Sequence, residues 1–102
     1  MSPSKIAVSP IKEKLHNETA KIAWSELQIF FAQGLLLTVQ NNIDLIEVAI
    51  KFSEDRAAEI KAMLEDGRVG PPCNDQAREW YANNTELWSV VVAPFVLVQE
   101  QR

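Results

Sequence analysis

The sequence predicts an α+β fold, in which a small, mostly antiparallel sheet of three strands carries about four helices on one face. Three observations predict it. Amphipathic segments with helix start and stop signals are interspersed with short β-branched runs, and two asparagines separate a pair of apolar segments in mid-chain. A strongly apolar run, "WSVVVAPFVLVQE" (88–100), lies near the C-terminus. The expected order of elements is ααββααβ.

The first two predicted helices precede the asparagine pair. In "IKEKLHNETAKI" (11–22) the apolar residues recur near one side of a helix. The second helix, 26–33, has clear boundaries, because Ser25 and Gln28 form the pattern of a capping box and Gly34 follows the last turn. We therefore expect the Ser25 hydroxyl to cap this helix.

Two apolar segments flank Asn41 and Asn42, which tolerate left-handed turn conformations. The segments 35–40 and 43–52 are therefore predicted to form a β-hairpin. Alternation places four apolar residues of the second strand on its inner face. These are Ile46, Val48, Ile50 and Phe52.

Two further helices are expected after this hairpin. Ser53 is the predicted N-cap of the first, which ends at Gly67. The second follows the rigid turn "GPPCND", with Asn74 or Asp75 as its cap, and carries Trp80. The C-terminal run then closes the fold as the third strand.

The C-terminal run is apolar on both sides if it is one strand. At 12 residues, 87–98, it is too short to cross a membrane, which takes about 20. Pro94 cannot donate to a ladder and is predicted to lie at a bulge or an edge. A bulge there would change which residues share a face of the sheet, and would divide the run into two sets. One is Trp88, Val90, Val92, Phe95 and Leu97, and the other is Ser89, Val91, Ala93, Val96 and Val98.

The second of these faces has no obvious cover in a fold with helices on one side of the sheet. With Leu36 and Leu45 it would form an apolar patch larger than monomers usually expose. Either the N-terminal segment folds over it or another protein does, and a two-fold homodimer is the commonest way to close such a patch. On this interpretation, Val96→Glu should give monomers or insoluble protein.

Size and composition limit the function classes. The chain has 102 residues, of which 47% are hydrophobic and 24% charged, as in one globular domain. Residues 1–10 are expected to be a flexible tail without an export signal, and 11–102 the domain. A single cysteine favours a reducing, cytoplasmic location. The net charge of −4 disfavours a nucleic acid partner.

No residue is assigned a catalytic, cofactor-binding or metal-binding role from the sequence. His16 is the only histidine and lacks partners at ligand spacing, and Cys73 precedes a helix start, where a thiol can become nucleophilic. Asp44 and Glu100 are acids expected at strand ends. Trp24 fits a core position better than a stacking pocket.

The segments "AWSEL", "IDLIEVAIKFSED", "GPPCNDQAREWY" and "VVVAPFVLVQE", in this order, resemble a family of short bacterial proteins known as domain of unknown function 2288. The resemblance covers about residues 11–101 and is strongest in "PFVLVQE". It implies a bacterial, cytoplasmic, single-domain protein and carries no activity, cofactor or site residue.

Two functions follow from these observations. The first is an interaction or regulatory module without catalytic activity, which forms a homodimer or binds another protein. The second is a small enzyme or ligand-binding protein with a pocket between the helices and the predicted hairpin, using Trp24, Asp44 or Glu100. A closed sheet face without a cavity of about 300 Å³ would count against the second.

Overall fold

The computed structural model describes residues 18–100, which are organised around a five-stranded mixed sheet. The strands are β1 (Ala20–Ala23), β2 (Leu36–Val39), β3 (Val69–Gly70), β4 (Glu86–Val92) and β5 (Phe95–Gln99). They lie in the order β1-β4-β5-β2-β3, and only β5 and β2 run parallel. The α+β class is confirmed, whereas the prediction of three mostly antiparallel strands is wrong.

Four helices within residues 18–100 cover this sheet on both faces. They are α1 (Trp24–Ala32), α2 (Leu45–Ser53), α3 (Ala57–Glu65) and α4 (Asn74–Asn83). The number of helices agrees with the prediction, but their placement on one face does not. One core lies between the sheet and α2–α3, and a second lies between the sheet and α1–α4. The domain therefore has three layers.

The predicted mid-chain hairpin is the principal error. Residues 45–53 form helix α2, and the buried positions are Leu45, Ile46, Val48 and Ala49. This spacing follows the 3.6-residue period of a helix. The apolar residues of this segment satisfy both the helical and the alternating pattern, so alternation alone could not exclude the helix.

The C-terminal run forms a hairpin of two strands instead of one bulged strand. Val92 pairs with Phe95 across a turn made by Ala93 and Pro94, whose peptide bond is cis. Paired residues in an antiparallel ladder lie on the same face of the sheet. The predicted face membership is therefore correct for the residues in the strands, but chain reversal causes it. Ala93 and Pro94 form the turn, and Pro94 lies in neither a bulge nor an edge strand.

The face predicted to be uncovered is buried under α1 and α4. Leu36, Val96 and Val98 belong to the core that contains Trp24 and Trp80. Leu45, another member of the predicted patch, lies on helix α2 in the other core. Val91 remains largely exposed, at 57%, and Ala93 in the turn is also exposed. The sheet face that motivated the homodimer is therefore part of the interior.

The start of the chain departs from the predicted helix 11–22. Its last residues form β1, an edge strand in which Lys21 pairs with Trp88. The Lys21 ammonium lies 5.3 Å from the centre of the Trp88 ring, a cation–π contact. Residues 11–17 of that predicted helix, and the tail at 1–10, lie outside the described residues.

Helix α1 begins two residues earlier than predicted and is not capped by its own side chains. Ala23 is the N-cap residue, and the Ser25 hydroxyl makes no capping bond. Instead, the Ser25 N–H donates to Oδ1 of Asn84, at 3.0 Å. Asn84 ends α4 in a left-handed conformation, φ 46°. One asparagine therefore closes α4 through its backbone and caps α1 through its side chain.

The glycine predictions at helix ends are confirmed. Gly34 follows α1 with φ 75°, and the N–H of Leu35 donates to the Phe30 carbonyl oxygen at 2.9 Å, as in a Schellman motif. Gly67 follows α3 with φ 82°. Ser53, however, is the last residue of α2, and α3 starts only at Ala57.

Candidate functional site

A polar crevice opens where the two parallel strands, β2 and β5, end. Its volume is about 230 Å³. Ligands of open sheets with parallel strands commonly bind outside the carboxyl ends of those strands. We call this site the carboxyl-end crevice. It is lined by Thr38, Val39, Gln40, Asn41, Gln76, Trp80, Val98, Gln99 and Glu100.

Gln99 fixes the wall of the carboxyl-end crevice. Its side chain is 2% exposed, and its Nε2 donates to the carbonyl oxygens of Gln40 and Ile43, at 2.6 Å each. These two bonds fasten the loop that leaves β2 to the end of β5. The position of the crevice therefore depends on a buried carboxamide.

Glu100 reaches the same crevice and is held there by Trp80. The indole Nε1 of Trp80 donates to Oε2 of Glu100 at 3.4 Å. Trp80 is 2% exposed, and its ring packs against that of Trp24 with centroids 5.7 Å apart. The buried tryptophan therefore gives the exposed carboxylate a fixed point of attachment.

The other two residues of the predicted pocket lie elsewhere. Trp24 belongs to the core beneath α1, as its sequence position indicated. Asp44 is not on a strand: it is the N-cap of α2, and its Oδ1 accepts a hydrogen bond from the Ile46 N–H at 2.9 Å. Of the three, the structure brings only Glu100 to the crevice.

Cys73 caps helix α4, in place of the predicted Asn74 or Asp75. The Gln76 N–H donates to its Sγ at 3.4 Å, and the Cys73 N–H donates to Oε1 of Gln76 at 3.1 Å. This reciprocal pair is a capping box built on a thiol. Cys73 is free and exposed. His16 lies outside the described residues.

A larger and more apolar concavity lies at the opposite end of the sheet. It has a volume of about 500 Å³ and is formed by the ends of α2 and α3 and by the β4–β5 turn. We call it the hairpin groove. It is lined by Phe52, Asp55, Ala57, Ile60, Lys61, Leu64, Val92, Ala93, Pro94 and Phe95.

Two aromatic rings give the hairpin groove a defined wall. Phe52 at the end of α2 meets Phe95 at the start of β5 edge to face, with centroids 5.7 Å apart and planes at 72°. Asp55, φ 54°, turns the chain from α2 into α3 and brings Ile60 and Leu64 to the opposite wall. Lys61 and Asp55 are exposed, and they are the charged residues among those that line the groove.

A third, shallower concavity of about 670 Å³ runs between α1 and α4. Two of its lining side chains are unusually exposed for large apolar or aromatic residues, Ile29 at 58% and Tyr81 at 70%. We call it the α1–α4 groove. It is a surface channel, with Trp24 and Phe31 at its base.

Shifts in pKa occur at surface pairs outside these three sites. A hydrogen bond to Glu54 raises the pKa of Arg56. The side-chain hydrogen bond from Arg68 lowers the pKa of Asp66. Neither shift accompanies a cluster suited to metal binding, and within residues 18–100 no group of three His, Cys, Asp or Glu side chains is arranged to hold an ion.

Comparison with family models matches residues 10–100 to a protein family of unknown function, DUF2288. The chain belongs to the DUF2288 family. Among solved structures, it is similar to the NMR solution structure of PA1075 from Pseudomonas aeruginosa. The two sequences are 39% identical, the TM-score is 0.76, and the match covers 100% of this chain and 94% of that one. A comparison with curated proteins gave no match.

The segment "PFVLVQE" contributes to two of the candidate sites in this DUF2288 domain. Pro94 forms the hairpin turn and Phe95 the aromatic wall of the hairpin groove. Gln99 and Glu100 hold the crevice at the other end of β5. The segment therefore connects both candidate sites through the central strand.

Sequence reasoning identified Glu100 but missed the hairpin groove. The groove needs α2 to end beside the β4–β5 turn, whereas the sequence pattern predicts a strand in place of α2 and a bulge in place of the turn. The available signal was Asp44 two residues before Ile46, a cap pattern that favours a helix over a strand.

No helix in the described part of the chain is long and apolar enough to span a membrane.

Proposed function

We propose that this DUF2288 protein is a binding module without catalytic activity, and that the hairpin groove receives its ligand. One observation carries the proposal: the groove has about 500 Å³ and predominantly apolar walls. Small-molecule sites usually have volumes of about 300–1,000 Å³, mostly apolar linings and a few polar groups. The carboxyl-end crevice, at about 230 Å³, is smaller than this range.

The lining supports a small ligand with a planar apolar body. Phe52 and Phe95 offer an aromatic wall, and aromatic pairs favour offset or edge-to-face contacts with a further ring. Ile60 and Leu64 supply aliphatic surface on the α3 side. Burying such a ligand would remove apolar surface of both partners from water, at about 25 cal/mol per Å².

The absence of catalysis is supported by what the candidate polar groups do. Asp44 accepts a capping hydrogen bond from α2, and Cys73 exchanges two with Gln76 at the start of α4. Glu100 accepts one from Trp80. Each of these side chains contributes to local structure.

The experiment is an NMR titration of the ¹⁵N-labelled protein with indole, a neutral planar probe. We expect saturable shifts in 52–64 and 92–95, with a dissociation constant on the order of 1 mM, about −4 kcal/mol. Ala57→Phe should fill the groove and weaken binding at least tenfold. Ala58→Phe is the matched control, because Ala58 is equally exposed on α3 but does not line the groove. Equal binding by both variants would disprove this site.

A second function, self-association, is favoured by the α1–α4 groove. Ile29 and Tyr81 project from its lining, so each copy offers both an exposed ring and a channel. A two-fold arrangement would place each ring in the channel of the other copy, and tyrosine is enriched in interfaces. This surface replaces the sheet face on which the predicted homodimer rested.

Light scattering across a concentration series tests the dimer. We expect the mass to rise from 11.5 kDa toward twice that value at high micromolar concentration. Tyr81→Ser should keep the protein monomeric. Val91→Ser removes another exposed apolar side chain outside the groove and should leave the dimer intact. A monomeric wild type at every concentration would eliminate this function.

The cellular setting is also a proposal. We place the protein in a bacterial cytoplasm as one domain spanning 11–102. The single cysteine supports a reducing compartment. The family match over 10–100 supports one domain, and the similar structure from Pseudomonas aeruginosa supports a bacterial source.

A further inference from the structure

The carboxyl-end crevice has a charge and hydrogen-bonding character of its own. Among the described residues that line it, Glu100 alone carries a charge. The chain as a whole has a net charge of −4. Both the local and the overall electrostatic potential therefore favour a cation at this end of the sheet.

The carboxylate of Glu100 is anchored by one hydrogen bond and has acceptor capacity to spare. Its Oε2 accepts one hydrogen bond from the Trp80 indole, and its Oε1 accepts none from a residue in 18–100. A carboxylate can accept several hydrogen bonds through its two oxygens. Because Trp80 is buried and packed against Trp24, Glu100 is anchored at one oxygen while the other is available.

Two neighbouring side chains also offer acceptors. The Thr38 hydroxyl donates to the Gly70 carbonyl oxygen at 2.9 Å, so its oxygen can only accept from a ligand. Gln40 donates through Nε2 to the Gly67 carbonyl oxygen at 3.1 Å, which leaves its Oε1 as an acceptor. Both side chains use a donor within the protein and keep an oxygen that can accept from an incoming group.

We propose that the carboxyl-end crevice binds the primary ammonium group of a small molecule or of a lysine side chain. An ammonium group has one positive charge and three donors. Glu100 supplies the opposite charge, and Thr38 and Gln40 supply the further oxygen acceptors. This site is separate from the hairpin groove, so each can be tested without the other.

The test is an NMR titration of the ¹⁵N-labelled protein with n-butylammonium chloride at constant ionic strength. We expect saturable shifts confined to 38–41, 76–80 and 98–100, and none with 1-butanol, which lacks the charge. A second arm uses Nα-acetyl-lysine methylamide. Tighter binding in that arm identifies a lysine side chain as the source, and tighter binding of butylammonium identifies a free amine.

Three variants locate the site. Glu100→Gln should weaken binding at least tenfold while its amide oxygen still accepts from Trp80, so the melting temperature should change little. Glu79→Gln makes the same change of net charge at an exposed position of α4 outside the crevice, and should bind like the wild type. Thr38→Val should weaken binding several-fold.

The opposite results would overturn the proposal. If Glu79→Gln and Glu100→Gln weaken binding of the probe equally, the probe is attracted only by the overall negative charge of the protein. Shifts spread over the acidic surface, or shifts that do not saturate by about 100 mM probe, would show that the crevice holds no ammonium site.

Discussion

The buried carboxamide of Gln99 should be among the most sensitive positions in the domain. Its Nε2 donates to two carbonyl oxygens, those of Gln40 and Ile43, at 2.6 Å. Gln99→Met keeps the side-chain length but removes both donors. The Ile43 carbonyl would lose its side-chain donor, which costs about 1–3 kcal/mol, with the lower figure where water can reach it. The Gln40 carbonyl would keep the N–H of Ile43, which donates to it at 3.0 Å. Because Ile43 is half-buried, we expect a total loss of about 1–3 kcal/mol.

Urea unfolding, followed by tryptophan fluorescence and by circular dichroism, measures this loss. Gln28→Met is the matched control, because Gln28 is exposed on α1 and should tolerate the same replacement within about 0.5 kcal/mol. In thermal unfolding, a loss of 2 kcal/mol corresponds to roughly 8–16 °C for a domain of this size. If Gln99→Met is as stable as Gln28→Met, the two short hydrogen bonds do not hold the loop.

Gln99→Glu separates the role of the donor from that of side-chain shape. At neutral pH its carboxylate would face two carbonyl oxygens without a proton to share, so this variant should be at least as unstable as Gln99→Met. Burial beside two acceptors favours the protonated form and raises the pKa of such a carboxyl group in the folded state. Its instability should therefore diminish as the pH falls. A deficit that is independent of pH would contradict the assigned geometry.

Three further predictions follow from helix caps, the buried sheet face and a surface ion pair. Asn84→Gly should lower the free energy of unfolding by about 1 kcal/mol because the α1 cap is lost, whereas Ser25→Ala should lower it by less than about 0.5 kcal/mol. If the urea midpoints show the reverse order, Ser25 is the cap after all. Val96→Glu should abolish the folded circular dichroism spectrum, since Val96 is 3% exposed, and Val91→Glu should not. The hydrogen bond from the Arg68 guanidinium lowers the pKa of Asp66 below its ordinary value of 3.8, so its contribution to stability is present above that value and is lost as the pH falls through the folded pKa. Asp66→Asn should therefore make the stability of the domain less dependent on pH below about 4. Identical acid unfolding curves for the wild type and the variant would refute this.

Signals that act within a few residues were largely readable from the sequence. Gly34 and Gly67 end helices as predicted, because only residues without a Cβ readily adopt their positive φ. The two faces of the C-terminal run were also assigned correctly. Its interpretation as one strand failed because a two-residue turn at Ala93 and Pro94 and a bulge have the same effect on which residues share a face.

Features that depend on distant residues could not be read in this way. Asn84 caps a helix that begins 60 positions earlier in the chain, and no local sequence pattern predicts that hydrogen bond. The pairing of β2 with β5 likewise joins residues far apart in sequence. Without that pairing, neither the second helical layer nor the crevice between the strand ends could be placed. Glu100 was identified as an unexplained acid, but its tryptophan partner was not.

The central position of β5 has a consequence for biosynthesis. This strand is translated after every other described element, yet it lies between β4 and β2 and joins the two halves of the sheet. Until Phe95–Gln99 leaves the ribosome, β1 and β4 can pair only with each other, as can β2 and β3. A nascent chain interrupted before Phe95 would expose the edges of two partial sheets, which are templates for aggregation. The domain should therefore fold late in translation, and quality-control proteases should remove prematurely terminated chains efficiently.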